Sequence, residues 1–410
     1  MGQGEYVNSE EQPRSSSQAA SLPELDFKPC YGDFQCSRLQ VPLDYWNGST
    51  NATLNLAIIK YPAAVPVTDP RYAGPVLVNP GGPGGSGVGF VLGAGRALQI
   101  ILGEAKFHDI LSFDPRGVGF TDPAVSCSGG IAASTSWRIR AMEEGTLNSS
   151  NAALGRLWSM SHALGSTCAD VGDESIQRYL TTASVARDML EIVEAHGRWR
   201  EREAQSLLTT ADLDSRQYQH LRHTPDTEKI QYWGFSYGSY LGTTFASMFP
   251  DRIHRFMLDG VVDAEDYTAG LWYNNLVDTE KTVEAFYTHC ARVGHPKCPL
   301  AGPKATASDV KKRVQDLVLH RHFNPLAVST LTSAQIISYS DIRSLIFTSL
   351  YSPMGTYPYL AKLLSGVERG DGSLFVGLLR MYYSFSCSNK ENRMLPLSVP
   401  SLTNTDFIVH

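Results

Sequence analysis

Gly234-Phe235-Ser236-Tyr237-Gly238 constrains this chain more than any other five residues. An apolar stretch that reads as a strand, Ile230 to Trp233, leads into it, and a helical pattern, Ser239 to Phe249, leads out. A chain that turns from strand to helix within so few residues must hold the central one in a strained backbone conformation. Glycine on either side leaves room for the bend, and the Ser236 hydroxyl then projects beyond the end of the strand. Serine at such an apex is a candidate nucleophile.

A second motif lies far upstream. Val76 to Val78 reads as a short buried strand, and Asn79-Pro80-Gly81-Gly82-Pro83-Gly84-Gly85-Ser86-Gly87 as a glycine-rich turn before an amphipathic stretch, Val88 to Leu102. When a serine attacks a carbonyl, the carbonyl oxygen becomes negative and needs N–H donors. Glycine lets substrate approach such a turn closely. The expected donors are the amides of Tyr237 and Gly82, with Gly81 as second choice. The same turn also fits G-x-G-x-x-G (Gly82, Gly84, Gly87), a dinucleotide fingerprint that would make the chain an oxidoreductase. Pro83 inside the turn, and the want of a convincing acidic residue closing a second strand, count against that. No Lys-Ser or Lys-Thr follows the glycines, which excludes a P-loop. A glycine loop without chemical role is the remaining alternative.

A chain of 410 residues, 42% hydrophobic, can bury a large core, and it suits one domain with a substantial insertion. A net charge of −6 argues against nucleic-acid or anionic-membrane partners. The longest apolar candidate, Gly87 to Gly103, is broken by Arg96, so no membrane-crossing helix is expected. The seven cysteines suggest disulfides rather than metal, with Cys30–Cys36, Cys290–Cys298 and Cys127–Cys168 as bridges and Cys387 left alone. Three sequons, at Asn47, Asn51 and Asn148, fit the same extracellular picture. Met1 to Ala20 is polar and has no apolar signal-peptide core; the favoured expectation is a start upstream of Met1, the alternative an intracellular chain with reduced cysteines.

Met1 to Leu22 has a disordered composition. Strands are predicted at Ser37–Val41, Leu54–Lys60, Val76–Val78, Asp109–Phe113, Ile230–Trp233 and Arg255–Leu258. Val185, Met189, Ile192, Val193 and His196 recur at helix spacing, with Thr182 as N-cap and Gly197 as stop. Alternating short strands and helices imply an α/β fold with a mainly parallel sheet covered on both faces. Arg198 to Lys229 reads as a solvated surface insertion. Ala264 to Leu379 changes character, with few strand signals and many aromatic and helical ones; it reads as a helical cap above the serine, with a separate helical domain as the alternative.

Other residues receive structural readings. Asp114 to Gly119 closes a strand and reads as a loop-fixing element in which Arg116 bonds backbone carbonyls, with a place in the lining of the site as the alternative. His289, Cys290, His295 and Cys298 lack the tight spacing of a zinc site, so no metal is expected. His320-Arg321-His322 reads as solvated cap loop, and Trp233 as core.

The combination resembles the tripeptidyl-aminopeptidase-like branch of the α/β-hydrolase peptidases, relatives of proline iminopeptidase. The matching segments are Cys36 to Tyr45, Asn79 to Gly87, Phe113 to Gly119, Gly234 to Ser239 and Leu258 to Asp263. Pro80 stands where the iminopeptidases carry His, as it does in much of the tripeptidyl branch. The resemblance implies an α/β-hydrolase fold and a secreted serine exopeptidase that removes short N-terminal units from peptide substrates without a cofactor. Ser236 matches its nucleophile, and Gly82 and Tyr237 its oxyanion positions. The expected division is a disordered N-terminal tail (1–29), the N-terminal part of a hydrolase core (30–263), a helical cap (264–388) and a truncated return toward the core (389–410).

A serine nucleophile needs a histidine base, and the histidine needs an acid. The family places both after the cap, on the last strands of the sheet. Asn389 to His410 cannot hold a strand–Asp–helix–strand–His pattern, and Cys387 lacks a mate. The expectation is therefore a truncated or mis-spliced chain without acid, base or C-terminal strands, left with an unpaired sheet edge and poor solubility. Asp259 or Asp263 could substitute as acid only if His289, His295, His320 or His322 reached Ser236; a free-terminal His410 is a weaker candidate. The competing reading is a non-catalytic hydrolase-fold protein that binds peptides or a partner.

Overall fold

The computed structural model describes residues 24–47, 51–103, 105–125, 127, 130–169, 175–209, 218–330 and 333–377. Cys387, His410 and the 389–410 return lie outside them. A seven-stranded sheet has the order β1-β2-β3-β5-β4-β6-β7, comprising β1 Lys28–Cys30, β2 Phe34–Pro42, β3 Thr53–Tyr61, β4 Tyr72–Asn79, β5 Phe107–Asp114, β6 Ile230–Phe235 and β7 Ile253–Asp259. The half containing β5, β4, β6 and β7 is parallel; β1, β2 and β3 join it antiparallel, so the sheet is mixed.

Adjacent apolar residues on the inner strands face opposite sides. Ile59, Val76, Val78 and Ile110 pack with helix α1 (Gly87–Leu102). Ile58, Leu77, Leu111 and Tyr232 pack with Met189 and Ile192 of the long helix after Thr181 and with Leu241 and Phe245 of the helix after Ser236. That period of two, apolar on both sides, is why these strands read as continuous hydrophobic runs.

Helices α2 (Ile131–Glu144) and α3 (Ala153–Ala169) form a largely exposed pair, with the bridge Cys127–Cys168 flanking them. Helix α4 spans Thr182–Leu207 with Thr181 as its N-cap. Gly197 does not stop it: a Cβ there would lie 2.6 Å from the Glu228 carboxylate, so glycine is kept for close approach within the helix. The predicted solvated insertion is thus helical up to Leu207. It is also anchored, with Arg200 bonded to Glu228 at 2.7 and 3.0 Å and Trp199 against Phe27.

Helix α5 (Tyr237–Met248) follows the elbow, and α6 (Ala264–Thr268) follows β7. Beyond them, α7 (Thr279–Val293), α8 (Ala307–Phe323), α9 (Tyr339–Ser349) and α10 (Pro353–Glu368), with the hairpin β8–β9 (Leu326–Thr330, Ser333–Ile337), enclose a separate core of Phe286, Val310, Val314, Ile342 and Leu364. The hairpin escaped the sequence reading because its strands are five residues each and half polar. Thr146 N–H donates to Ser340 Oγ at 3.0 Å, joining the α2–α3 loop to α9. His320-Arg321-His322 belongs to the last turn of α8 rather than a loop, and Arg321 is buried, donating to Val367 O at 2.7 Å.

Candidate active site

In the sheet, Asn79 stands in register with Gly234. Because β4 and β6 are parallel neighbours, the glycine-rich turn and the elbow leave the same edge side by side. The strand order reverses at β4, with β5 on one side and β6 on the other, so this edge opens at a topological switch point.

Ser236 has φ 56° and ψ −126°, a left-handed conformation uncommon for a residue with a Cβ. The surroundings hold it there. Its N–H donates to Asp259 O at 2.8 Å, and its carbonyl accepts from Ser239 N–H at 2.8 Å and Ser239 Oγ at 2.6 Å. Ser239 Oγ also accepts from Val262 N–H at 2.9 Å, linking the elbow to the loop after β7. Ser236 itself is exposed.

The turn packs directly against this bend. A Cβ on Gly81 (φ 87°) would lie 2.3 Å from Phe235 O and 2.8 Å from Tyr237 N, so no side chain fits between them. The Gly81 amide is already engaged, donating to Asn79 Oδ1 at 2.9 Å. Asn79 is buried, and sequence reasoning passed over it, although a polar residue closing an apolar strand was a visible signal. Asp114 was also missed as a brace: its carboxylate accepts from Ser86 Oγ at 2.6 Å, Val88 N–H at 3.0 Å and Phe120 N–H at 2.8 Å. It thereby ties the start of α1 to the loop after β5.

Arg116 donates to the carbonyls of Leu43, Tyr179 and Pro42, and with two bonds of 2.7 and 2.8 Å to Asp188; both charged side chains are fully buried. Tyr45 adds its hydroxyl to Asp188 at 2.7 Å. The sequence reading of Arg116 as a loop-fixing residue thus gains a second buried partner.

The other candidates stand as follows. Asp259 accepts from the Trp233 indole at 2.8 Å. Asp263 caps α6, accepting from the amides of Glu265 and Asp266 and from Asn274, and those bonds hold its carboxyl below the usual range. His289 contacts Arg292, and His322 stacks against Phe323 and Tyr339. Among the described residues, no hydrogen bond joins a histidine to Ser236. The Tyr237 phenol is bonded to Thr182 at 2.7 Å, and burial pushes its pKa up, so it stays neutral.

Cys290 is bridged to Cys298, which removes both as thiolate ligands beside His289 and His295. Among the described residues, no group of His, Cys, Asp and Glu is placed to hold a metal ion, and no helix is long and apolar enough to cross a membrane.

The alpha/beta hydrolase fold family matches residues 74–305, from the strand before the glycine turn into the helices beyond β7. The chain belongs to the alpha/beta hydrolase fold family. Within it, the chain is 26% identical over 370 residues to the serine protease Hip1 of Mycobacterium tuberculosis, covering 90% of this chain and 61% of that protein. It is 26% identical over 271 residues to the tripeptidyl aminopeptidase of Streptomyces lividans, covering 65% of this chain and 43% of the relative. It is also 28% identical over 346 residues to a carboxylesterase B of Mycobacterium tuberculosis, covering 83% and 56%. The chain thus spans about three fifths of the length of Hip1 and less of the other two.

Proposed function

We propose that this chain carries the nucleophile and oxyanion half of a serine hydrolase of peptidase type. One observation carries the reading: exposed Ser236 sits at a positive-φ apex with Gly81 of the glycine turn packed against the Tyr237 amide. In the proposed reaction Ser236 Oγ attacks a peptide carbonyl, whose oxygen becomes negative and accepts from the amides of Gly82 and Tyr237. Gly82 serves rather than Gly81 because the Gly81 amide is spent on Asn79. The names of the relatives, serine protease and tripeptidyl aminopeptidase, support peptides as substrates and release of short N-terminal units as the outcome. Three disulfides support a working place outside the reducing cytosol.

A fluorophosphonate probe tests this. Labelling that maps to Ser236 and vanishes in Ser236→Ala is expected. Its rate reports on the base, because serine without a histidine partner reacts far more slowly. No Ser236-dependent adduct after prolonged incubation would overturn the hydrolase reading. Retained binding of unlabelled peptides in that event would favour the non-catalytic alternative.

A further inference from the structure

The three sequons differ in what surrounds them. All three residues of Asn51-Ala52-Thr53 are described, and they lead directly into β3, which begins at Thr53. Asn51 is exposed, and among the described residues no hydrogen bond holds its amide. The backbone beside it is fixed: Ala52 O accepts from Leu43 N–H at 2.9 Å, and Thr53 pairs with Pro42 across the strands. Thr53 is exposed as well.

Asn148 is held where two parts of the fold meet. Its Nδ2 donates to Tyr339 Oη at 3.0 Å and its Oδ1 accepts from Thr146 Oγ1 at 3.2 Å. A Cβ on the neighbouring Gly145 would lie 2.2 Å from Ser340 Oγ, so the two segments touch without space between. A glycan on Asn148 would part them. The bridged cysteines fit passage through an oxidising compartment, where N-linked transfer takes place.

We propose that Asn51 is an N-linked glycosylation site and that Asn148, despite its sequon, stays unmodified. In the transfer, Asn51 Nδ2 forms the bond to C1 of the sugar and releases one proton. The C1–O bond of a polyprenyl-diphosphate-linked oligosaccharide breaks, and the diphosphate leaves with the electron pair; nothing is oxidised or reduced. The Thr53 hydroxyl completes the acceptor signal. Among the described residues, no hydrogen bond to the exposed Asn51 side chain stands to be displaced by the glycan. The inference is independent of the chemistry at Ser236.

The test is secretion of the full chain behind a cleavable leader in yeast. The product is treated with a peptide N-glycosidase in heavy-oxygen water and mapped by peptide mass spectrometry, with Thr53→Ala and Thr53→Ser as variants. Expected are a heavy aspartate at position 51, its loss in Thr53→Ala, its retention in Thr53→Ser, and unlabelled Asn148. Secreted wild type with unlabelled Asn51, or with label at Asn148, would overturn the proposal. Because the wild type decides, misfolding of a variant does not blunt the test.

Discussion

The two ends of the parallel strands use polar groups in opposite ways. At the carboxyl edge, Ser236 holds a strained conformation, exposed to solvent, and its hydroxyl is committed to no histidine among the described residues. At the amino end of the same sheet, Lys60, Asp109 and His196 are buried together, with half-buried Tyr72 beside them. Tyr72 donates to Asp109 at 2.7 Å, the Ala63 amide does so at 2.8 Å, and the Lys60 ammonium lies between the rings of Phe27 and Trp199 at 4.1 and 3.6 Å. Burial pushes Asp109 up, but His196, Lys60 and the Ala63 amide outweigh it and hold the carboxyl at about 2. The buried end turns its polar groups on one another and gains fixity. The exposed edge leaves a hydroxyl for a substrate and depends on its neighbours to hold it there.

The largest expected effect tests whether buried polar groups brace the edge. Arg116→Met removes the partner of Asp188 and leaves a fully buried carboxylate with only Tyr45. Breaking such a pair costs about 3–5 kcal/mol. Urea unfolding followed by tryptophan fluorescence should show that loss, and a change below about 1 kcal/mol would break the comparison.

Gly81→Ala sharpens it from the other side. A methyl 2.3 Å from Phe235 O, at a φ of 87°, must push the turn off the elbow. Overpacking of this kind costs about 1–3 kcal/mol, and Ser236-dependent labelling should fall with it. Undiminished labelling would show that the turn and elbow need not touch.

Ser236→Gly should raise stability, by about 1 kcal/mol, because glycine takes positive φ without penalty. Thermal unfolding reads it, and a lowered midpoint would mean that the bend stores no strain.

The smallest effect is a slope. Burial holds His196 neutral, below its ordinary pKa near 6.5, despite Asp109 at 3.7 Å; Lys60 and Arg200 push in the same direction as burial. The unfolded chain therefore binds the extra proton first as pH falls. Stability should drop as pH passes below about 6.5, and go on dropping until the folded-state pKa is reached. His196→Gln should flatten that part of the curve. Asp109 contributes separately, its stabilisation being lost as pH falls from about 4 toward about 2. An unchanged slope in His196→Gln would show that His196 is not the group responsible.

The parts legible in the sequence were those where one physical requirement dominates. Strands β2 to β7 announced themselves as apolar runs between turns, and the elbow as a serine between glycines. Close cysteine spacing gave Cys30–Cys36 and Cys290–Cys298, and Cys127–Cys168 was expected as a third; all three are bridged. What escaped depends on distant partners. Gly197 reads as a helix stop until Glu228 is seen against it. Arg321 reads as solvated until α10 supplies the Val367 carbonyl. Asn79 and Asp114 are single polar residues whose meaning comes from amides two to twenty-six residues away. The sequence ranked Gly82 above Gly81 as a donor, but it could not show that the Gly81 amide is bonded to Asn79.

The most direct measurement is a crystal structure of the chain after long exposure to a fluorophosphonate. The account predicts phosphorus bonded to Ser236 Oγ, with the phosphonyl oxygen accepting from the amides of both Gly82 and Tyr237 at about 2.7–3.1 Å. An adduct whose oxygen turns to solvent, away from both amides, would contradict it.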